Sequence, residues 1–127
     1  MIKPFVRWIE REAVDLSVLY QAVQELEKGL FDANLGGGLY KKRIPHSGRG
    51  KRGGARTIIA TRLKGAFFFL IGFAKNEQEN ITSRELRALR DYANYLLDLS
   101  ENEIDRALAQ KELKEVNCDE SNPERDS

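Results

Sequence analysis

Near the middle of the chain, Ala66 to Ala74 contains the nearly unbroken run Phe67-Phe68-Phe69-Leu70-Ile71. A segment this apolar has to be covered on both sides, and its length and bulky residues suit a strand at the centre of a sheet. Just before it, Thr57 to Leu63 reads as a second strand and Lys64-Gly65 as the tight turn between them. A hairpin here is the element around which everything else has to pack. The triple phenylalanine could in principle offer a stacking surface to bases, but in so apolar a run it reads as core.

Three further segments read as extended or irregular. Leu39 to Ile44 is a strand closed by Pro45, and Asp32 to Gly38, with three successive glycines, reads as a break. Phe5 to Ile9 is aromatic and β-branched enough for a short strand, with a loop as the alternative.

Helices lie on both sides of these strands. From Asp15, the positions Leu16, Leu19, Tyr20, Val23, Leu26 and Leu30 recur at helical spacing, and Gly29 ends or loosens the helix. The acids Glu10, Glu12, Asp15, Glu25 and Glu27 read as its solvated side and approach. Thr82 with Glu85, and Ser100 with Glu103, are capping-box signatures that open two helices in series, joined at Leu99-Ser100. Glu112 to Asn117 reads as a last helical turn or an edge strand. Helices before and after a run of strands define an α+β domain, and 127 residues suffice for one domain. Its expected extent is 1–117, followed by a polar, disordered tail over 118–127.

Charge divides the chain more sharply than its near-neutral total suggests. Between Asp32 and Glu77 stand ten Lys or Arg residues and no acid, so the middle carries about +10 and the flanks about −9. Such a concentration of positive charge attracts polyanions, and nucleic acid is the first partner to consider. The opening Met1-Ile2-Lys3-Pro4 is not that of a secretory signal, and no apolar run approaches a membrane span, so a cytoplasmic protein without membrane contact is expected. Cys118, the single cysteine, excludes an internal disulfide and a cysteine-built zinc site. His46, the single histidine, excludes chemistry built on paired histidines. Neither metal nor cofactor is expected.

The basic stretch is densest over residues 46–55, which read as an exposed loop of His46, Ser47, glycines and bases. Gly48-Arg49-Gly50-Lys51-Arg52-Gly53 matches the dinucleotide-binding pattern G-x-G-x-x-G. That pattern works at the N-terminus of a helix, whereas here a strand follows. Small residues beside guanidinium groups suit a phosphate chain better, since the backbone can approach while Arg and Lys grip the oxygens. The bases continue beyond the loop at Arg43, Arg56 and Lys75. A second cluster, Lys75-Asn76-Glu77, directly follows the apolar strand.

Two blocks, Gly38 to Arg43 through Gly48 to Arg56 and Phe73 to Ile81, resemble the signature of RelE/HigB-type toxins of bacterial type II toxin-antitoxin systems. The resemblance covers about residues 5–112. It implies a small microbial ribonuclease-like domain with an antiparallel sheet packed against N-terminal and C-terminal helices. It also implies an endoribonuclease that cleaves mRNA in the A site of the small ribosomal subunit, neutralised by a helix-turn-helix antitoxin and reaching operator DNA only through it.

Carried over by position, Lys75, Arg56 and Arg43 would be catalytic. Lys41, Lys42, Arg49, Lys51 and Arg52 would bind RNA, and Asn76 and Glu77 would position Lys75. This chain has Ala74 before Lys75 where some relatives have an aromatic residue, and no Tyr after Tyr95, which argues against a tyrosine-based mechanism. The same patch also fits a non-catalytic RNA- or ribosome-binding module, or a protein whose main task is DNA-bound autoregulation with its partner.

Overall fold

A computed structural model describes residues 1–45, 54–74 and 81–116. The element order is α1 (Lys3–Glu12), α2 (Leu16–Glu27), β1 (Ala33–Gly36), β2 (Leu39–Ile44), β3 (Ala55–Thr61), β4 (Phe67–Ala74), α3 (Ser83–Leu97) and α4 (Glu101–Ala109). The strands form one antiparallel sheet in the order β1-β2-β3-β4. The chain is therefore α+β, with helices before and after the sheet as its patterning implies.

Each face of the sheet is covered by a different pair of helices. Phe5, Trp8 and Ile9 of α1 and Leu19, Ala22 and Leu26 of α2 pack with Ile44, Ala55, Ile59 and Phe69 on one face. Ala93 and Leu96 of α3, with partly buried Ile104 and Leu108 of α4, pack with Leu39, Ile58, Ala60, Phe68, Leu70 and Phe73 on the other. The strand residues alternate between these two lists because side chains along a strand point to opposite sides.

Position 70 interrupts the alternation. Ile58 pairs with Ile71 and its neighbour Ile59 pairs with Phe69, so Leu70 is an extra, unpaired residue, a β-bulge. Phe67 and Phe69 face α1 and α2 before the bulge, whereas Gly72 takes that side after it. A Cβ at Gly72 would lie 2.3 Å from the Trp8 ring, so glycine is what lets the indole lie on the strand.

Several local expectations change. Phe5 to Ile9 belongs to helix α1 rather than to a strand or loop, because Pro4 starts a helix well and Phe5, Trp8 and Ile9 recur at three and four, the face it buries. Asp32 to Gly38 contains strand β1. The hairpin strands run 55–61 and 67–74, so Ala55 is buried in the sheet rather than in an exposed loop, and Leu63 lies in the turn. Leu30 lies beyond the end of α2, 54% exposed. Strand β4 is an edge of the sheet and not its centre, although its faces are buried as its composition demands. Ile2 covers part of that edge, its N–H donating to the Phe69 carbonyl at 3.3 Å, and Ile2 also forms an antiparallel bridge with Leu113. That bridge is the form taken by the segment after Glu112.

Both capping boxes form. The Thr82 and Ser100 hydroxyls accept from the Glu85 and Glu103 N–H groups, and each carboxylate accepts from the cap residue's own N–H. Hydrogen bonding to the ionised form holds both carboxyls below their ordinary range. The expected tail at 118–127 lies outside the described residues. No helix among the described residues is long and apolar enough to cross a membrane.

Candidate nucleic-acid interface

Strand β2 carries three consecutive bases, and the pleat sorts them. Lys41 is paired with Ile58 and Arg43 with Arg56, on the face shared with α3 and α4. Lys42 is paired with Thr57 on the opposite face, where α2 lies. There it is 9% exposed, and its Nζ is 2.7 Å from the Glu25 carboxylate. The Lys42 hydrogen bond is the main reason the Glu25 carboxyl sits below its ordinary range. Glu25 is therefore not simply part of a solvated helix face; it ties α2 to the sheet. The Thr57 hydroxyl donates to the Lys42 carbonyl at 2.8 Å and fastens the same spot from β3.

On the other face the bases stand together. Arg43, Arg56 and Phe73 occupy one row across three strands. Directly opposed residues have Cβ atoms about 5 Å apart, and Lys41 is two residues, about 7 Å, along the same face from Arg43. Lys41 and Arg56 are half-buried and Arg43 is exposed. Like charges directly opposite each other disfavour strand pairing. Asp32 steadies it, accepting a hydrogen bond from the Arg43 N–H while its own N–H donates to the Lys41 carbonyl at 2.9 Å. Arg90 of α3 donates from Nε to the Leu35 carbonyl at 3.0 Å, pinning that helix to β1. Neither contact announces itself in the sequence, since each joins residues far apart in the chain.

The adjoining row contains Ile44, Ala55 and Ala74: the end of β2, the start of β3 and the end of β4. Two strand spacings, about 10 Å, cover it. Gly54 enters β3 at φ 74°, where a Cβ would come within 2.3 Å of the Ile44 carbonyl oxygen, so only glycine brings the chain this close to the end of β2. Arg49, Lys51 and Arg52, together with Lys75, Asn76 and Glu77, lie outside the described residues. His46 does as well. Among the described residues no group of three or more His, Cys, Asp or Glu side chains could hold a metal ion.

Fold and face together define a small α+β protein that holds cations side by side at one end of its sheet, a surface suited to phosphates. The family model for the RelE toxin of the RelE/RelB toxin-antitoxin system matches residues 1–116, and the chain belongs to this toxin family. Such a toxin is one member of a pair, the other being an antitoxin. Compared individually, no curated protein matches the chain.

Proposed function

We propose that this toxin is a metal-independent endoribonuclease that cleaves mRNA in the ribosomal A site, with residues 1–117 as the active domain. The observation that carries the reading is the row of Arg43 and Arg56, with Lys41 beside it, on one sheet face. RNA brings its own nucleophile. The 2′-oxygen attacks phosphorus and loses its proton, a bond to phosphorus forms, and the bond to the departing 5′-oxygen breaks as that oxygen gains a proton. The protein has to align this displacement, stabilise the charge that builds on the phosphoryl oxygens and move the two protons.

Arg43 and Arg56 suit the second task, and Lys41 would hold a neighbouring phosphate. Lys75 follows Ala74 directly in the chain, and Ala74 is paired with Ala55 beside Arg56. On that basis Lys75 is assigned the charge-stabilising or proton-transfer role, Asn76 and Glu77 its positioning, and Arg49, Lys51 and Arg52 the grip on flanking phosphates. Lys42 is left out of the RNA-binding set because its ammonium is committed to Glu25. A helix-turn-helix antitoxin would neutralise the activity.

Induced expression without an antitoxin should stop bacterial growth and shorten reporter mRNAs within their translated region, and Arg56→Ala should slow cleavage about 100-fold. Lys75→Ala should abolish cleavage with melting unchanged. Normal growth and intact transcripts, with the wild-type protein folded and abundant, would exclude the nuclease and leave a non-catalytic RNA- or ribosome-binding module.

A further inference from the structure

Strand β1 begins at Ala33, opposite Lys41, whereas β2 continues to Ile44, so Arg43 lies beyond the last rung of the ladder between them. A strand that runs past its neighbour leaves N–H groups without ladder carbonyls. The Asp32 side chain supplies the missing acceptor: its carboxylate takes the Arg43 N–H, while the Asp32 N–H donates to the Lys41 carbonyl at 2.9 Å. One residue thus brackets β2 at Lys41 and Arg43, the two bases that this strand turns to the cationic face. The chain leading to Asp32 is held as well. The Phe31 ring centroid lies 4.8 Å from that of Tyr40, and the Leu30 N–H donates to the Glu25 carbonyl at 2.9 Å. Asp32 is also the acid at which the acid-free stretch begins. A carboxylate at the margin of a phosphate-binding row repels phosphates, so its contribution has to be read apart from its charge.

We propose that Asp32 is a positioning residue: by completing the ladder with its side chain it orders the backbone of Arg43, and so aims that guanidinium, beside Arg56, at the phosphoryl group under attack. The inference rests on the role given to Arg43 in the nuclease reading. A guanidinium speeds the displacement only where its N–H groups meet the oxygens on which charge develops, and a misplacement of about 1 Å can cost about 100-fold. Removal of Asp32 therefore acts in two opposite directions. Loss of its charge tightens the hold on RNA, and loss of its acceptor oxygen lowers turnover.

Asp32→Asn and Asp32→Ala separate the two effects, since both remove the charge and only the first keeps an acceptor oxygen. In cleavage of mRNA on programmed ribosomes, both should lower KM about threefold. The kcat should fall about tenfold in Asp32→Ala and by less than about threefold in Asp32→Asn. Asp32 is exposed, so both variants should fold, as circular dichroism checks. Hydrogen exchange of the Arg43 amide, followed by NMR, should be slow in the wild type and in Asp32→Asn and fast in Asp32→Ala. Because Asp32 acts through Arg43, Asp32→Ala made in an Arg43→Ala background should change kcat by less than about twofold. Equal kcat for the two Asp32 variants, or a tenfold loss that persists in the Arg43→Ala background, would overturn the proposal. So would an Arg43 amide equally protected in the wild type and both variants. A wild type that cleaves no mRNA would sink the nuclease reading instead, and the ordering of Arg43 by Asp32 would then stand or fall on the exchange pattern alone.

Discussion

The two faces of the sheet treat the same kind of residue in opposite ways. On the face covered by α1 and α2, Lys42 is buried and its charge is matched by Glu25. One residue further along β2, Arg43 projects to the other side and stands opposite another guanidinium. Adjacent cations in a strand thus divide between one buried against a carboxylate and one left exposed, and strand parity makes the division. A run of basic residues in a strand should therefore be read as two alternating sets.

The largest test of the packed face is Phe69→Ala. Phe69 is 1% exposed with its ring centroid 5.1 Å from that of Phe5, so truncation should cost about 3–5 kcal/mol, measured by urea unfolding. A loss below 1 kcal/mol would mean that α1 is not anchored there. Next comes Gly72→Ala, whose methyl group must displace the Trp8 ring; the cost should be about 1–3 kcal/mol. Trp8 is the sole tryptophan, so its emission should also shift to the red. Unchanged emission would place the indole elsewhere.

The sharpest test of the contrast uses neighbouring positions. Lys42→Met should lower stability by about 1 kcal/mol, a modest figure because Glu25, left alone, can still reach water. Arg43→Met should change stability by less than about 0.5 kcal/mol but flatten the salt dependence of RNA binding by about 0.7 in the log-log slope. Exchange of these two outcomes would invert the assignment of the faces.

The smallest effect is a pH dependence. Because the folded carboxyl of Glu25 titrates below its unfolded value of 4.5, its contribution is fully present above that value and is lost as the pH falls through the folded pKa. Asp15, Glu85 and Glu103 shift in the same direction, so the informative quantity is the stability difference between wild type and Lys42→Met. That difference should shrink on acidification. A constant difference would mean that Lys42 acts through packing alone.

The elements legible in the sequence are those whose signals are local. The capping boxes at Thr82 and Ser100, the stripe of the second helix and the hairpin each rest on residues a few positions apart. Phe5 to Ile9 misleads because five residues are too few to separate a helical from an extended period, and tertiary packing then overrides strand propensity. The edge position of β4 was hidden because burial on two faces says nothing of the order of strands. For the candidate site, the acid-free stretch takes in the bases of β2 and β3, but composition does not say which of three adjacent bases is turned inward. That depends on pairing with β3 and on Glu25, seventeen residues before Lys42.

The bulge at Leu70 gives β4 two reading frames, one for Phe67 to Phe69 and another for Ile71 to Ala74. Loss of Leu70 itself would merge the frames into one regular alternation, with Ile71 still opposite Ile58, Gly72 opposite Thr57 and Phe73 opposite Arg56. The extra residue can thus be shed without turning any side chain to the other face. A strand shorter by that one residue would still lay Gly72 under the Trp8 ring and keep Phe73 in the row of Arg43 and Arg56.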